Sequence, residues 1–124
     1  MKIYFCKHCK NVLLVLNDGG PTPICCGEKM TLLVANTEDA AREKHVPVVE
    51  INGNVVVAKV GEVPHPMLDV HHIDFIILET NLGAYISYQH VDQPAEARFL
   101  LQEGEKALAV YEHCNLHGLW KKEL

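Results

Sequence analysis

The placement of cysteine constrains this chain more than any other feature. Four of the five cysteines, Cys6, Cys9, Cys25 and Cys26, lie before residue 27, and the fifth, Cys114, stands alone near the other end. The first residues, MKIYFCKHCK, lack the charged, apolar and small-residue stages of a secretory leader. A reducing, cytoplasmic setting is therefore expected, where clustered thiols serve metals rather than disulfides. The division of the cysteines suits one four-thiolate site and a second site that takes a single thiolate.

Cys6-Lys7-His8-Cys9 is a C-x2-C chelate, and Cys25-Cys26 supplies two further thiolates after a loop rich in glycine and proline. Four thiolates in a tetrahedron suit zinc or iron. Adjacent cysteines cannot both adopt the relaxed C-x2-C turn, so a distorted tetrahedron is expected. From spacing alone the competing readings are a structural zinc ribbon and, more rarely, a vicinal disulfide between Cys25 and Cys26. His8 lies inside the chelate loop, but four sulfurs already fill such a site, so an exposed, non-ligating position is expected.

Residues 1–35 read as a small separate unit. Apolar runs at Ile3–Phe5, Val12–Leu16 and Met30–Val34 alternate with turn chemistry, and Asp18-Gly19-Gly20-Pro21-Thr22-Pro23 excludes helix and central strand. So few residues cannot bury an adequate core, and a metal would supply the missing constraint. A short helix is expected from Thr37, as N-cap, to about Lys44, before Pro47 restricts Val46. Beyond it the chain reads as strands. Val48–Ile51 and Val55–Val60 flank Asn52-Gly53, and His71–Thr80 and Ala84–His90 flank Asn81-Leu82-Gly83. Ala97–Gln102 and Lys106–His113 follow, the last strand expected. Many short strands with frequent turns predict a β-sandwich.

A second group of donors emerges from this part of the chain. His45 ends the short helix, Pro64-His65-Pro66 holds His65 in a rigid extended loop, His71 opens a strand, and Cys114-Asn115-Leu116-His117 is a C-x2-H chelate. Alternation sets His71, Ile73, Phe75 and Ile77 on one strand face and His72, Asp74, Ile76 and Leu78 on the other. The first face is apolar beyond its histidine, so His71 is expected inside and His72 exposed. His90 and His113 are read as surface or structural. Trp120 is expected to pack over the C-terminal site, and Tyr85, Tyr88 and Tyr111 in the core or an interface.

The chain resembles the desulfoferrodoxin family. The resemblance rests on Cys6-x2-Cys9, Cys25-Cys26-Gly27-Glu28, Glu43-Lys44-His45-Val46-Pro47, Pro64-His65-Pro66-Met67, His71, and Cys114-Asn115-Leu116-His117-Gly118-Leu119-Trp120. These strings occur in the family's order and span nearly the whole chain. The resemblance implies a mainly β protein: a desulforedoxin-like domain over residues 1–36, then an immunoglobulin-like antiparallel β-sandwich over 37–124, usually as a homodimer. It implies a first iron on Cys6, Cys9, Cys25 and Cys26, with zinc an alternative there. It also implies a second, catalytic iron with His45, His65, His71 and His117 equatorial and Cys114 axial. One departure is visible: an aromatic residue commonly follows the third histidine, where this chain has His72.

The activity so implied is superoxide reductase, which reduces superoxide to hydrogen peroxide. Five protein donors leave one octahedral position open, unlike a closed structural site. The chain carries a net charge of −5, so an anionic substrate must be attracted locally, by the metal and by Lys44 beside it. Glu43 is expected to occupy the open position in the ferric form. An external donor, rubredoxin or a similar protein, would return the electron, since no G-x-G-x-x-G cofactor fingerprint is present. No basic run points to nucleic acid, and no apolar run is long enough for a membrane helix. The competing functions are a rubredoxin-like electron carrier and a structural zinc-binding module.

Overall fold

Extended runs joined by tight turns supply nearly all the regular structure. The computed structural model describes residues 1–124 and divides into two units, Met1–Val34 and Ala35–Leu124. In the first unit, β1 (Ile3–Phe5) is the middle strand of an antiparallel sheet with β2 (Val12–Leu14) and β5 (Thr31–Leu32). A second hairpin joins β3 (Ile24–Cys25) to β4 (Glu28–Lys29). Tyr4, Cys6 and Met30 form the small core, with Val15 and Cys25 packed against it. A core of that size leaves stability to depend on the cysteine site.

The second unit is the expected sandwich. Its elements are α1 (Arg42–His45), β6 (Pro47–Asn52), β7 (Val55–Val60), β8 (Ile73–Thr80), β9 (Ala84–Tyr88), β10 (Glu96–Leu100), β11 (Ala107–Cys114) and β12 (Gly118–Glu123). They form a three-stranded sheet, β10-β7-β6, and a four-stranded sheet, β12-β11-β8-β9. Val56, Ala58, Val60, Ala97 and Phe99 from the first meet Ile73, Ile76, Leu78, Val110 and Cys114 from the second in one buried core. Apolar side chains from two inner faces thus drive the layers together. The sole helix has four residues, and no helix is long and apolar enough to cross a membrane.

Several expectations are corrected. The helix starts at Arg42, not Thr37, and Ala41 caps it without a side-chain bond. Asn36 explains the delay. Its side-chain amide pairs with the Lys121 backbone in both directions, at 2.9 and 3.1 Å, and its own N–H donates to the Leu119 carbonyl. The chain is thereby held along β12, and the helix cannot begin until it leaves.

The β6–β7 loop is Gly53-Asn54 rather than Asn52-Gly53, since Asn52 pairs with Val55. Gly53 alone takes positive φ there, at 60°, as a type II′ turn requires. The Lys106–His113 run is not the last strand: β12 follows it, and Cys114-x2-His117 spans the β11–β12 turn. Finally, the strand alternation is broken. Cys114 pairs with Ile73 but His113 with Phe75, leaving Asp74 as an extra, bulged residue. The bulge reverses the phase. Ile73 faces the core, but so do Ile76 and Leu78, whereas Phe75 and Ile77 do not belong to that cluster.

Candidate metal centres

The first unit gathers Cys6, Cys9, Cys25 and Cys26 so that their sulfurs lie within 4.8 Å of one another. Cys9 Sγ is 3.5 Å from Cys25 Sγ, which is 4.0 Å from Cys26 Sγ. A tetrahedral ion with bonds of about 2.3 Å separates its sulfurs by about 3.8 Å, so the cluster has the dimensions of a metal site. All four cysteines are free thiols, which removes the vicinal disulfide.

Local backbone makes this possible. Lys10 takes φ 67° and donates its N–H to the Cys6 carbonyl, closing the first chelate loop. Cys26 (φ 52°) and Gly27 (φ 74°) form the two-residue loop of the β3–β4 hairpin. Positive φ at both places is the type I′ pattern, which normally favours asparagine and glycine. Cys26 therefore sits in a conformation that a residue with a Cβ seldom adopts. The backbone N–H of Cys9 leads in drawing the Cys6 thiol down to about 6. Hydrogen bonding to Cys9, then Cys6, pushes Cys26 up to about 12. One thiol ionises readily and the last resists, a conflict that a cation relieves. His8 is exposed and stands outside the sulfur cluster; its Nε2 lies 2.5 Å from Glu28 Oε2.

The second unit assembles a different site. His45, His65, His71 and Cys114 place donor atoms within 4.8 Å of one another. His117 joins through Nδ1, 3.2 Å from His45 Nε2 and 3.8 Å from Cys114 Sγ. The four imidazoles close a cycle. Centroids are 4.7 Å apart for His45–His65, 4.6 Å for His65–His71, 5.1 Å for His71–His117 and 5.0 Å for His117–His45. Every neighbouring pair meets at 73–86°. His45 Nε2 and His65 Nε2 are 3.2 Å apart, near the roughly 3.0 Å of adjacent nitrogens bound to one ion at about 2.1 Å.

The surroundings prepare these rings as neutral donors. His45 Nδ1 donates to the Ala41 carbonyl and His65 Nδ1 to the Pro66 carbonyl, each at 2.7 Å. That fixes the tautomer with Nε2 unprotonated and facing inward. Burial lowers the pKa of His45 and His71, and that of His65 to about 4. His71 Nε2 is buried with no hydrogen-bond partner, as a nitrogen reserved for a metal should be. Trp120, fully buried, stacks on His45 at 4.9 Å and donates Nε1–H to the His117 carbonyl.

Other residues were not foreseen. His72 is not exposed: its Nδ1 meets the Leu68 carbonyl at 2.9 Å and its Nε2 meets Asp74 at 3.1 Å. The other Asp74 oxygen meets His113 Nδ1 at 2.7 Å, so one carboxylate links the neighbours of His71 and Cys114. The bulge turns Asp74 into that position, and no spacing rule announces it. Glu112 is fully buried with neither oxygen hydrogen-bonded, and burial, then Asp74, raises its pKa well above the usual carboxylate range.

Gly61 (φ 90°) abuts the α1 backbone, where an added Cβ would lie 2.4 Å from the Glu43 oxygen. Val63 N–H also donates to that oxygen at 2.9 Å. The His65 loop is thus fastened against Glu43 and Lys44, both exposed. A cleft of about 520 Å3 includes Arg42, Glu43, Glu62 and Lys122 in its lining but none of the metal donors. His90 and Tyr88 are exposed, whereas Tyr111 is buried and Tyr85 half-buried.

Residues 37–123 match the family described as Desulfoferrodoxin, and residues 1–33 match the one described as Desulfoferrodoxin, N-terminal domain. A desulfoferrodoxin from Syntrophotalea carbinolica is 45% identical over 123 residues, covering 99% of this chain and 96% of that protein. The solved superoxide reductase from Treponema pallidum superposes with a TM-score of 0.82 at 35% identity, covering 99% of this chain and all of that one. A superoxide reductase from Thermococcus kodakarensis is 33% identical over 99 residues, 66% of this chain and 86% of that protein.

Proposed function

The chain belongs to the desulfoferrodoxin family, and from that premise we propose that it is a superoxide reductase. Superoxide takes up one electron and two protons at the histidine–cysteine centre and leaves as hydrogen peroxide. The observation that carries this reading is the closed cycle of four mutually facing imidazoles with a single buried cysteine sulfur beside it. A rubredoxin-like carrier or a zinc module uses only the four cysteines and leaves that cycle without a purpose.

In this reading His45, His65, His71, His117 and Cys114 hold iron, and Cys6, Cys9, Cys25 and Cys26 hold iron or zinc. Iron held by the four histidines and Cys114 would supply the electron for superoxide and take it back from an outside donor; zinc, with no redox chemistry, could not. The Ala41 and Pro66 carbonyls keep His45 and His65 oriented, and burial keeps the rings neutral against the opposing pull of those bonds, so positive charge stays at the centre to attract an anion. Lys44 adds to that attraction, and its charge already depresses His45 and His71. Its flexible ammonium guides a small anion and relays protons from solvent. Glu43 shares the same short helix and is the carboxylate available to the centre after turnover. Reduced rubredoxin or a similar protein is the proposed donor, superoxide the substrate, and a homodimer the working form.

The test is rapid mixing of reduced protein with superoxide. Lys44→Ala should slow capture and flatten its dependence on salt, while Cys9→Ser should spare it. A folded Cys9→Ser protein devoid of superoxide reduction would refute this division of labour.

A further inference from the structure

Charge is divided unequally along the chain. Residues 1–34 carry four lysines against two carboxylates, a net +2, whereas residues 35–124 carry seven lysines and arginines against fourteen carboxylates, a net −7. The small positive unit bears the four-cysteine cluster, and its lysines are not scattered. Lys7 lies within the first chelate loop, Lys10 immediately follows it, and Lys29 ends the hairpin that carries Cys25 and Cys26. All three are exposed.

Of the unit's two acids, Asp18 pairs with Lys2 at 2.8 Å, and Glu28, next to Lys29 in the hairpin, is taken up by His8 of the first chelate loop. Glu28 is held below its usual range by His8 first, with Lys7 contributing. Lys10 is fixed in place, its Nζ donating to the Lys7 carbonyl at 2.9 Å and lying 5.6 Å from the Phe5 ring centroid.

A second observation concerns the sulfurs. Only Cys6 is buried; Cys9 and Cys26 are exposed. The strained loop conformation of Cys26 belongs to a hairpin tip, which carries its sulfur outward. Beside it, Ile24 is 70% exposed and pairs across the hairpin with Lys29. An exposed apolar residue and two exposed cysteines, with exposed lysines flanking them along both chain segments, combine the parts of a transient electron-transfer contact. Such contacts bury less than about 1,200 Å2 and depend on complementary charge for speed.

We propose that the exposed edge of the four-cysteine site, flanked by Lys7, Lys10 and Lys29, is the docking face for an acidic electron-transfer protein. This rests on the reductase reading only in requiring an outside donor. The partner's carboxylates meet the three ammonium groups, and its redox centre faces Cys9 and Cys26. The −7 charge of residues 35–124 repels the same partner, so the positive unit is where it can settle.

The test uses the whole metal-loaded protein and an acidic rubredoxin. Zero-length carbodiimide coupling joins lysines to the partner's carboxylates, and peptide mapping identifies them. Cross-links should fall on Lys7, Lys10 and Lys29 and vanish at high salt. In rapid mixing with reduced rubredoxin at low salt, Lys7→Glu/Lys10→Glu/Lys29→Glu should slow the second-order reduction by at least about tenfold. Lys106→Glu, a single charge reversal within residues 35–124, should leave the rate close to the parent's, whereas each of the three lysine changes made alone should slow it.

Cross-links confined to residues 35–124, or a folded triple variant reduced as fast as the parent, would overturn the proposal. Cross-linking needs no variant, so misfolding of the triple variant does not remove the test. The reaction of dithionite-reduced protein with superoxide is read separately. Its failure would sink the reductase reading and leave the docking face standing.

Discussion

His45 and His65 bring their Nε2 atoms to within 3.2 Å of each other while both Nδ1 atoms donate to backbone carbonyls. Each ring therefore turns a lone pair toward the other. Two such lone pairs repel unless a cation lies between them, so the geometry is that of a metal centre before any metal is considered. Removing one ring should expose this dependence. His65→Ala is expected to lose the histidine-site metal while keeping the four-cysteine metal, halving the metal content per chain in elemental analysis. Retention of both metals would show that His65 is not a ligand.

Gly61→Ala tests how the His65 loop is seated. The residue needs positive φ, and its Cβ would lie 2.4 Å from the Glu43 oxygen and 2.6 Å from the Lys44 carbonyl carbon. Strained backbone alone costs about 1–3 kcal/mol, and the clash with fixed backbone adds to it. Denaturant unfolding should show a loss of at least that size, with weaker metal retention at the histidine site. A variant as stable as the parent would mean that α1 and the loop separate freely.

Trp120 should matter through packing and orientation. Trp120→Ala should cost about 3–5 kcal/mol in unfolding experiments, because the ring is fully buried. Trp120→Phe keeps an aromatic face on His45 but loses the bond to the His117 carbonyl. It should be milder in stability yet shift the visible spectrum of the ferric protein. An unchanged spectrum would place Trp120 outside the site's electronic environment.

Glu105 predicts the acid limb of stability away from either metal. Its carboxylate accepts from Thr80 Oγ1 at 2.6 Å, Tyr85 OH at 2.8 Å and the Gln102 N–H at 2.9 Å. The Thr80 bond leads in lowering its pKa. The folded state then binds its proton less readily than the unfolded state. Its contribution is present above the ordinary carboxylate pKa and is lost as pH falls through the lowered value. Glu105→Gln should melt several degrees lower at neutral pH, and the two melting curves should converge in acid. Parallel curves at all pH values would remove Glu105 from the acid response.

Much of the donor chemistry was legible because it depends on residue type and short spacing. Cys6-x2-Cys9 and Cys114-x2-His117 have the spacing that lets two donors meet across one turn, and prolines on both sides of His65 limit its backbone. The hairpins were legible from Gly53 and from Asn81-Leu82-Gly83, although the first loop sits one residue later than expected. Long-range pairings were not. The bulge at Asp74 depends on the register against β11, and it changed both the core face of β8 and the environment of His72. Asn36 looks like part of a helix start until β12 is there to hold it, and β12 itself follows a chelate that resembles a chain end. Nothing in the local sequence marks Gly61, and only the packed α1 backbone reveals why a side chain is excluded there.

The most direct measurement of the central claim is the yield of hydrogen peroxide when reduced, metal-loaded protein consumes a pulse of superoxide. Reduction at the His45–His65–His71–His117–Cys114 centre predicts one peroxide for each superoxide consumed and no dioxygen. Half that yield with dioxygen released, the signature of dismutation, or no consumption beyond the spontaneous rate, would contradict it.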